Sequence, residues 1–373
     1  MAKRLPVTVI TGFLGAGKTT VLRHLLTRGG QRLAVMVNEF GSVGLDGDLI
    51  RSCGFCPEEE VDGRLVELNN GCLCCTVQDD FLPTMETLLE RADQLDGIVV
   101  ETSGLALPRP LLQALDWPAI RSRVHVNGVV TLVDGEALAA GSPVADAEAL
   151  ERQRAEDPSL DHLTAIDDLF EDQLQAADLV LISRADCLDA SAMAEVQGRI
   201  KDKVRPGTAL LPVSQGQVET SVVLGLEHKP TPLEAHHDHD HDHDHDHHDH
   251  DHHDHSHVDM VGSNVRVEGA FDRHALEQLL PSLVSNLQVV RLKGRVWLPS
   301  KTLPLQIQMV GPRLNSWFEA APSHAWRPDQ GCGADLVVLA LNEAAAPALE
   351  SGLQRLVQAT PAKASPAAAT PES

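Results

Sequence analysis

The stretch Gly12-Phe-Leu-Gly-Ala-Gly-Lys-Thr19 sets glycines, a lysine and a hydroxyl at the spacing of a Walker A phosphate loop. Gly12, Gly15 and Gly17 let backbone N–H groups, including those of Ala16 and Thr20, turn inward around phosphate oxygens. The apolar run Val7–Thr11 leads in and the helical pattern Lys18–Arg28 leads out, which is the context such a loop needs. The new helix presents its positive end to the phosphate. Lys18, expected on an exposed loop–helix junction, would reach the β and γ oxygens, and the Thr19 hydroxyl would bind Mg²⁺. By chance the pattern arises in roughly one chain in a hundred of this length, so it outweighs an ordinary glycine-rich turn.

Two further segments fit the same chemistry. Gly97-Ile-Val-Val-Glu101-Thr-Ser-Gly104 is an apolar strand ending in a carboxylate, with a glycine three residues on. Glu101 can hold Mg²⁺ through water, and Gly104 can donate its N–H to a γ-phosphate. Alone this is weak, because many strands end in an acid. Leu179-Val-Leu-Ile-Ser183-Arg184-Ala185-Asp186 resembles the Asn-Lys-x-Asp guanine signature of GTPases. The Asp186 carboxylate can accept from guanine N1–H and N2–H₂, a donor pair adenine lacks. Ser183 stands where the signature has Asn and Arg184 where it has Lys. Arg184 can lay its stem or guanidinium over a base. Ser183 has one donor and lacks an amide's reach. The other reading of Asp186 is a cap for the next helix. Ser214 and Gly216 are weaker candidates for the base pocket.

Cysteine chemistry is concentrated in Asn69-Asn-Gly-Cys72-Leu-Cys74-Cys75. Three close thiols oxidise readily, so free packing residues are a poor reading of them. In an extended segment Cys72 and Cys74 share one side and Cys75 takes the other. Two thiolates on one side, with Glu39 as a candidate helper, can chelate a divalent ion. Cys53-Gly-Phe-Cys56 has a gap that suits a second chelate, or no site at all; both remain open. Cys187 and Cys332 stand alone and read as packing residues. Thiolates favour Zn²⁺, Cu(I) and Co²⁺ over Mg²⁺, and the Irving–Williams order puts Zn²⁺ above Co²⁺.

Positioning these groups needs a sheet whose strand ends converge. Apolar runs at Leu33–Asn38, Leu65–Leu68, Val129–Asp134 and Leu210–Val213 join those above as strands. Helical patterns cover Pro83–Arg91, Pro108–Leu115, Asp161–Ala177 and Ser191–Val204. The alternation predicts an α/β fold: a P-loop parallel sheet between helix layers across residues 1–224. Residues 225–262 read as a disordered linker, whose tract His236–His257 carries thirteen of the nineteen histidines and eight aspartates. Such a tract can collect metal loosely without a fixed geometry. A smaller α+β domain follows at 263–360. Its strand runs are Asn264–Glu268, Gln288–Leu298, Leu305–Val310, Asn315–Glu319 and Leu336–Leu341, and its helical runs are Arg273–Leu283 and Glu343–Val357. Residues 361–373 read as a disordered tail.

Composition narrows the partners. Over 373 residues the formal net charge is −24, which argues against nucleic acid. No apolar run is long enough to span a membrane, and the start lacks a signal-peptide pattern, so the cytoplasm is expected.

The phosphate loop, Cys72-Leu-Cys74-Cys75 and Glu101-Thr-Ser-Gly104, in that order, resemble the CobW-type metallochaperone GTPases. The likeness covers Leu5 to about Gly216. Val37-Asn38-Glu39-Phe40-Gly41 is similar to that family's first switch. The stretch from Asp48 to Phe81 and Leu292-Lys-Gly-Arg-Val-Trp-Leu298 look like CobW proper more than its zinc-linked relatives. Ser42, where many relatives carry an acid, and the Ser183-Arg184 pair depart from the pattern. The resemblance implies a GTPase with Mg²⁺ that binds Co²⁺ through its cysteines and delivers it for cobalamin synthesis to an enzyme such as a cobaltochelatase. Zinc as cargo is the alternative. A metal-storage protein with a vestigial nucleotide site is a third reading, opposed by intact Lys18, Thr19 and Glu101. An ATP-dependent kinase is a fourth, opposed by Asp186.

Overall fold

The computed structural model describes residues 4–28, 31–38, 66–67, 73–77, 81–146, 148, 150, 166–225, 260–323 and 325–359, with the backbone alone at 28, 37–38, 66–67 and 73–77. The chain divides into two compact units, Met1–Asp259 and Met260–Ser373.

In the first unit the strands are β1 (Leu5–Gly12), β2 (Leu33–Asn38), β3 (Val66–Glu67), β4 (Leu73–Val77), β5 (Gly97–Thr102), β6 (Val124–Asp134), β7 (Leu179–Ser183) and β8 (Ala209–Pro212). They form one sheet in the order β3-β4-β2-β5-β1-β6-β7-β8. Every neighbouring pair is parallel except β3 with β4. The helices are α1 (Lys18–Arg28), α2 (Phe81–Glu90), α3 (Pro108–Leu115), α4 (Gly135–Ala139), α5 (Ile166–Ala176), α6 (Ala190–Lys201) and α7 (Thr220–Leu224).

A parallel sheet covered on both faces needs strands that are apolar throughout, and β1, β5 and β7 are buried along their whole length. One core gathers Val7, Val9, Met36 and Val100 with Met85 and Leu88 of α2 and Leu111 of α3. The other gathers Val133, Val180 and Ile182 with Leu169 and Leu174 of α5 and Val196 of α6. Strand β6 begins five residues before the run expected from Val129, because His125 and Asn127 are polar yet buried. The Asn127 amide donates to Thr8 Oγ1 at 2.8 Å and to the Leu224 carbonyl at 2.9 Å, which offsets its desolvation.

The second unit is an antiparallel sheet ordered β12-β11-β10-β13-β9. Its strands are β9 (Val261–Glu268), β10 (Val289–Trp297), β11 (Leu305–Val310), β12 (Arg313–Phe318) and β13 (Gly333–Ala340). Helices α8 (Arg273–Asn286) and α9 (Ala345–Ala359) share one core with alternate strand residues, among them Val265, Leu292, Ile307 and Leu336. Strand β9 starts inside the segment expected to be linker. Gly262 and Ser263 have little strand preference of their own, but the ladder to Leu339 and Val338 of β13 recruits them. Helix α8 continues through Pro281 beyond the expected end at Leu283, held by buried Leu276, Leu280 and Val284.

Candidate nucleotide and metal site

Parallel strands bring their C-terminal ends to one edge, and ligands of such sheets bind there, where connections part to either side. Here β1 lies between β5 and β6. The ends of β1, β5, β7 and β8 lead into the expected nucleotide residues.

Gly12 ends β1 with φ +136°, and a Cβ there would lie 2.2 Å from the Leu132 carbonyl oxygen, so no other residue fits. Phe13 is buried and stacks on Phe170 of α5 at 5.9 Å between ring centroids, anchoring the loop's first turn. The Ala16 N–H bonds back to the Phe13 carbonyl at 3.2 Å. Lys18 is not exposed as expected: it is 8% accessible, and its Nζ donates to the carbonyls of Gly12 at 2.8 Å and Phe13 at 3.1 Å. The loop wraps its own lysine, fixing a positive charge among inward-facing peptides.

Thr19 Oγ1 donates to Glu101 Oε1 at 3.2 Å, joining the start of α1 to the end of β5. Below them Thr102 Oγ1 bonds Thr11 Oγ1 at 2.9 Å, both buried. A hydroxyl beside a buried carboxylate is a hard oxygen pair of the kind that suits Mg²⁺ with its waters. Gly104 follows on the same side; a Cβ there would lie 2.6 Å from the Leu14 backbone nitrogen, so the β5 loop presses against the phosphate loop.

Gln173 was not singled out by sequence. Fully buried in α5, its Nε2 donates to the carbonyls of Gly104 at 3.2 Å and Ala106 at 3.3 Å. It fixes the height of the loop that would meet a γ-phosphate. Gln173→Leu is therefore expected to cost about 1 kcal/mol or more of GTP affinity relative to GDP, a ratio of about fivefold or greater. Fluorescent GTP and GDP titrations check this; an unchanged ratio would deny Gln173 that role.

At the end of β7, Ser183 is buried and its hydroxyl donates to the Val133 carbonyl at 3.1 Å, so its proton is already engaged. Its side chain backs the phosphate loop: a Cβ on Gly17 would lie 3.6 Å from Ser183 Cβ. Arg184 has φ 54°, in the left-handed region, which costs a non-glycine residue about 1–2 kcal/mol. Its Nη1 lies 2.8 Å from Asp134 Oδ2 and 3.5 Å from Glu136 Oε2. Asp186 follows, exposed, on the short 3-10 turn Ala185–Cys187. The loop after β8 curls back to the same place: Gln215 and Gly216 are left-handed, and a Cβ on Gly216 would lie 2.9 Å from Thr20. Gly216 thus sits against Thr20, just past the phosphate loop, with Ser214 two residues before it in the chain.

The metal residues are only partly described. Cys72, Glu39, Cys53 and Cys56 lie outside the described residues, as does the His236–His257 tract. Cys74 and Cys75 occupy the middle of β4, an extended segment whose Cα partners in β2 are Val35 and Met36. In the next row, Thr76 of β4, Val37 of β2 and Glu101 of β5 align across neighbouring strands. Among the described residues no group of three or more His, Cys, Asp or Glu forms a metal cluster. Cys187 is exposed rather than packed, and its thiol is pushed up, by desolvation first and then by Asp186 and Glu136. Burial raises the Cys332 thiol as well. No helix among the described residues is long and apolar enough to cross a membrane.

Comparison with known proteins agrees with this architecture. Residues 6–212 match the family described as "CobW/HypB/UreG, nucleotide-binding domain", and residues 260–357 match "Cobalamin synthesis protein cobW C-terminal domain". A Pseudomonas aeruginosa protein named "Zinc chaperone CobW" is 44% identical over 90% of this chain and 87% of its own length. A Sinorhizobium protein of the same name is 41% identical over 95% of this chain and 98% of its own. The crystal structure of Zn(II)-bound YjiA GTPase from E. coli aligns with 95% of this chain and 99% of its own, at a TM-score of 0.42 and 20% identity. With both halves matched in order, and two relatives above 40% identity over nearly the whole length, the chain belongs to the CobW/HypB/UreG family as a CobW-type member.

Proposed function

We propose that the chain is a GTP-hydrolysing metallochaperone: it binds a divalent transition metal through Cys72, Cys74 and Cys75, with Glu39 as helper, and hands it to an acceptor enzyme when GTP is cleaved. The observation that carries the reading is the alignment of β4 with Glu101. The cysteine-bearing strand lies two strand spacings, about 10 Å, from the strand whose end meets Thr19. A change at the phosphates is felt through β2, which leads straight to Glu39.

In this reading Lys18 and the N–H groups of Gly15, Gly17, Thr19 and Thr20 hold the phosphates, joined by that of Ala16 once it turns from the Phe13 carbonyl. Gly104 meets the γ-phosphate. Asp186 reads guanine, with Arg184 and Ser183 supporting its turn. Thr19 and Glu101 fit Mg²⁺, which when bound neutralises charge on the β and γ oxygens. The protein's own part is to orient GTP, exclude alternative bases and fix its lysine before the reaction.

Zinc is the cargo this reading assigns. Thiolates and the Irving–Williams order favour it, and the two relatives described above carry zinc in their names. Cobalt, with a cobaltochelatase as acceptor, is the second reading, and the match to the cobalamin-synthesis C-terminal domain favours it. Competition between Zn²⁺ and Co²⁺ at equal free concentration, with Mg²⁺ and a slow-hydrolysing GTP analogue, separates them. Zinc is expected to occupy the cysteine site and to displace cobalt's thiolate absorption bands. Retention of those bands would assign cobalt, and neither metal binding would remove the chaperone reading. The acceptor works in the cytoplasm on this proposal.

A further inference from the structure

The turn that bears Asp186 depends on a residue in the wrong conformation for its type. Arg184 is left-handed without being glycine, and it directs the chain into the 3-10 turn that leaves Asp186 exposed at the strand ends. Something must hold it. The neighbouring strand ends in Asp134, whose Cα partner across the ladder is Ser183. Asp134 is 2% accessible. Its Oδ1 accepts the Ala137 N–H at 3.1 Å, capping α4, and its Oδ2 takes Arg184 Nη1 at 2.8 Å. The cap fixes one carboxylate oxygen; the other, buried and without a hydrogen bond of its own, meets the guanidinium as an ion pair. The backbone beneath is seated as tightly: a Cβ on Gly135 would lie 2.7 Å from the Ser183 carbonyl oxygen.

We infer that Asp134 is a positioning residue for guanine recognition, acting through Arg184 and not on the nucleotide. Its grip holds Arg184 left-handed, and the held residue aims Asp186. The arginine that replaces lysine in the signature is then a working part. A permanently charged guanidinium can pair with Asp134 while Glu136 stands 3.5 Å from the same nitrogen, and the methylene stem bridges the gap from β7 to α4. Sequence gave no sign of this pairing, because the partners come from different strands and neither belongs to a recognised motif beyond Arg184 itself. The inference rests on the proposed reading of Asp186 as the guanine acceptor.

The test compares Asp134→Asn in two backgrounds. Asparagine keeps an oxygen for the Ala137 N–H and nearly the same volume, but loses the charge that grips Arg184. In the parent chain it is expected to raise KM for GTP, and Kd for GTP and GDP alike, about tenfold, with kcat changing less than about twofold; tenfold is about 1.4 kcal/mol. In an Arg184→Gly background the left-handed conformation needs no grip. There the same Asp134→Asn change is expected to alter KM by less than about twofold. A purely structural cap would cost the same in both backgrounds, and that equality would overturn the inference, as would an unchanged KM in the parent background. Parent protein that binds GTP and ATP equally would instead overturn the Asp186 reading, and this inference with it, before any variant is compared. If Asp134→Asn does not fold, Arg184→Gln serves: it must raise KM about tenfold without lowering the melting temperature by more than a few degrees, and failure to do so overturns the proposal.

Discussion

Lys18→Ala is expected to lower GTP turnover by about 10²–10³-fold, the cost of deleting one preorganised donor from a charge-stabilising site. The effect is large because of where the ammonium sits. It is the only cation in the Gly12–Thr19 loop, it is 8% accessible, and it is held at 2.8 Å and 3.1 Å by two loop carbonyls. A charge in that setting is screened little by water, and on the proposed reading developing charge on the transferred phosphoryl group would meet it without reorganisation. Burial also means that the substitution touches the fold. Two carbonyls lose a charged donor, a loss of about 1–3 kcal/mol that melting curves should register. Phosphate release measured beside thermal unfolding separates the two. Turnover within a fewfold of the parent, in a folded variant, would take Lys18 out of the reaction.

Asp186→Asn should weaken GTP binding by about 2–4 kcal/mol, roughly 30- to 900-fold. An amide cannot accept from both N1–H and N2–H₂, and its own NH₂ then faces a donor. Asp186 is exposed, so the change is felt in the complex and not in the fold: stability should move by no more than about 0.5 kcal/mol. The same swap should favour xanthine nucleotides, whose C2 carbonyl offers the acceptor that an asparagine NH₂ needs. Nucleotide titration of the variant with GTP, XTP and ATP checks all three expectations. Equal affinity of the parent for ATP and GTP, or no loss on substitution, would show that Asp186 merely belongs to its turn.

What could be read in advance followed from how local each feature is. The expected Lys18–Arg28, Leu33–Asn38, Pro108–Leu115, Leu179–Ser183 and Leu305–Val310 match the observed elements residue for residue. In each case an apolar run or helical period ends at a clear polar or turn signal. That Gly12, Lys18, Thr19 and Glu101 come together was legible because their motif carries its own context. Boundaries failed where a distant partner overrode local character. Asn127 is tolerated in β6 because Thr8 and Leu224 bond its amide, and β9 begins at Val261 because β13 offers a ladder. Long-range contacts around the candidate site escaped the sequence for the same reason. Gln173 reaches a carbonyl 69 positions away, and Asp134 meets Arg184 from the adjacent strand. Neither forms a pattern within any window of sequence. The exposure of Lys18 was misjudged because a lysine at a loop–helix junction ordinarily faces water, whereas this loop closes over it.

The central claim is that nucleotide and metal stabilise one another, and calorimetric titration of Zn²⁺ under three conditions tests it most directly. The conditions are Mg²⁺ with a slow-hydrolysing GTP analogue, Mg²⁺ with GDP, and no nucleotide. A γ-phosphate that orders the first switch near Glu39 would also fix the thiolates, and cleavage would release that order. Couplings of 1–3 kcal/mol are typical, so metal should bind about 5- to 150-fold tighter with the GTP analogue than with GDP. Linkage requires the metal to tighten GTP-analogue binding, relative to GDP, by the same factor. In Cys72→Ser/Cys74→Ser both effects should vanish while metal-free GTP binding stays intact. The same Zn²⁺ affinity in all three conditions would contradict the account and leave a GTPase whose cysteines play no part in its cycle.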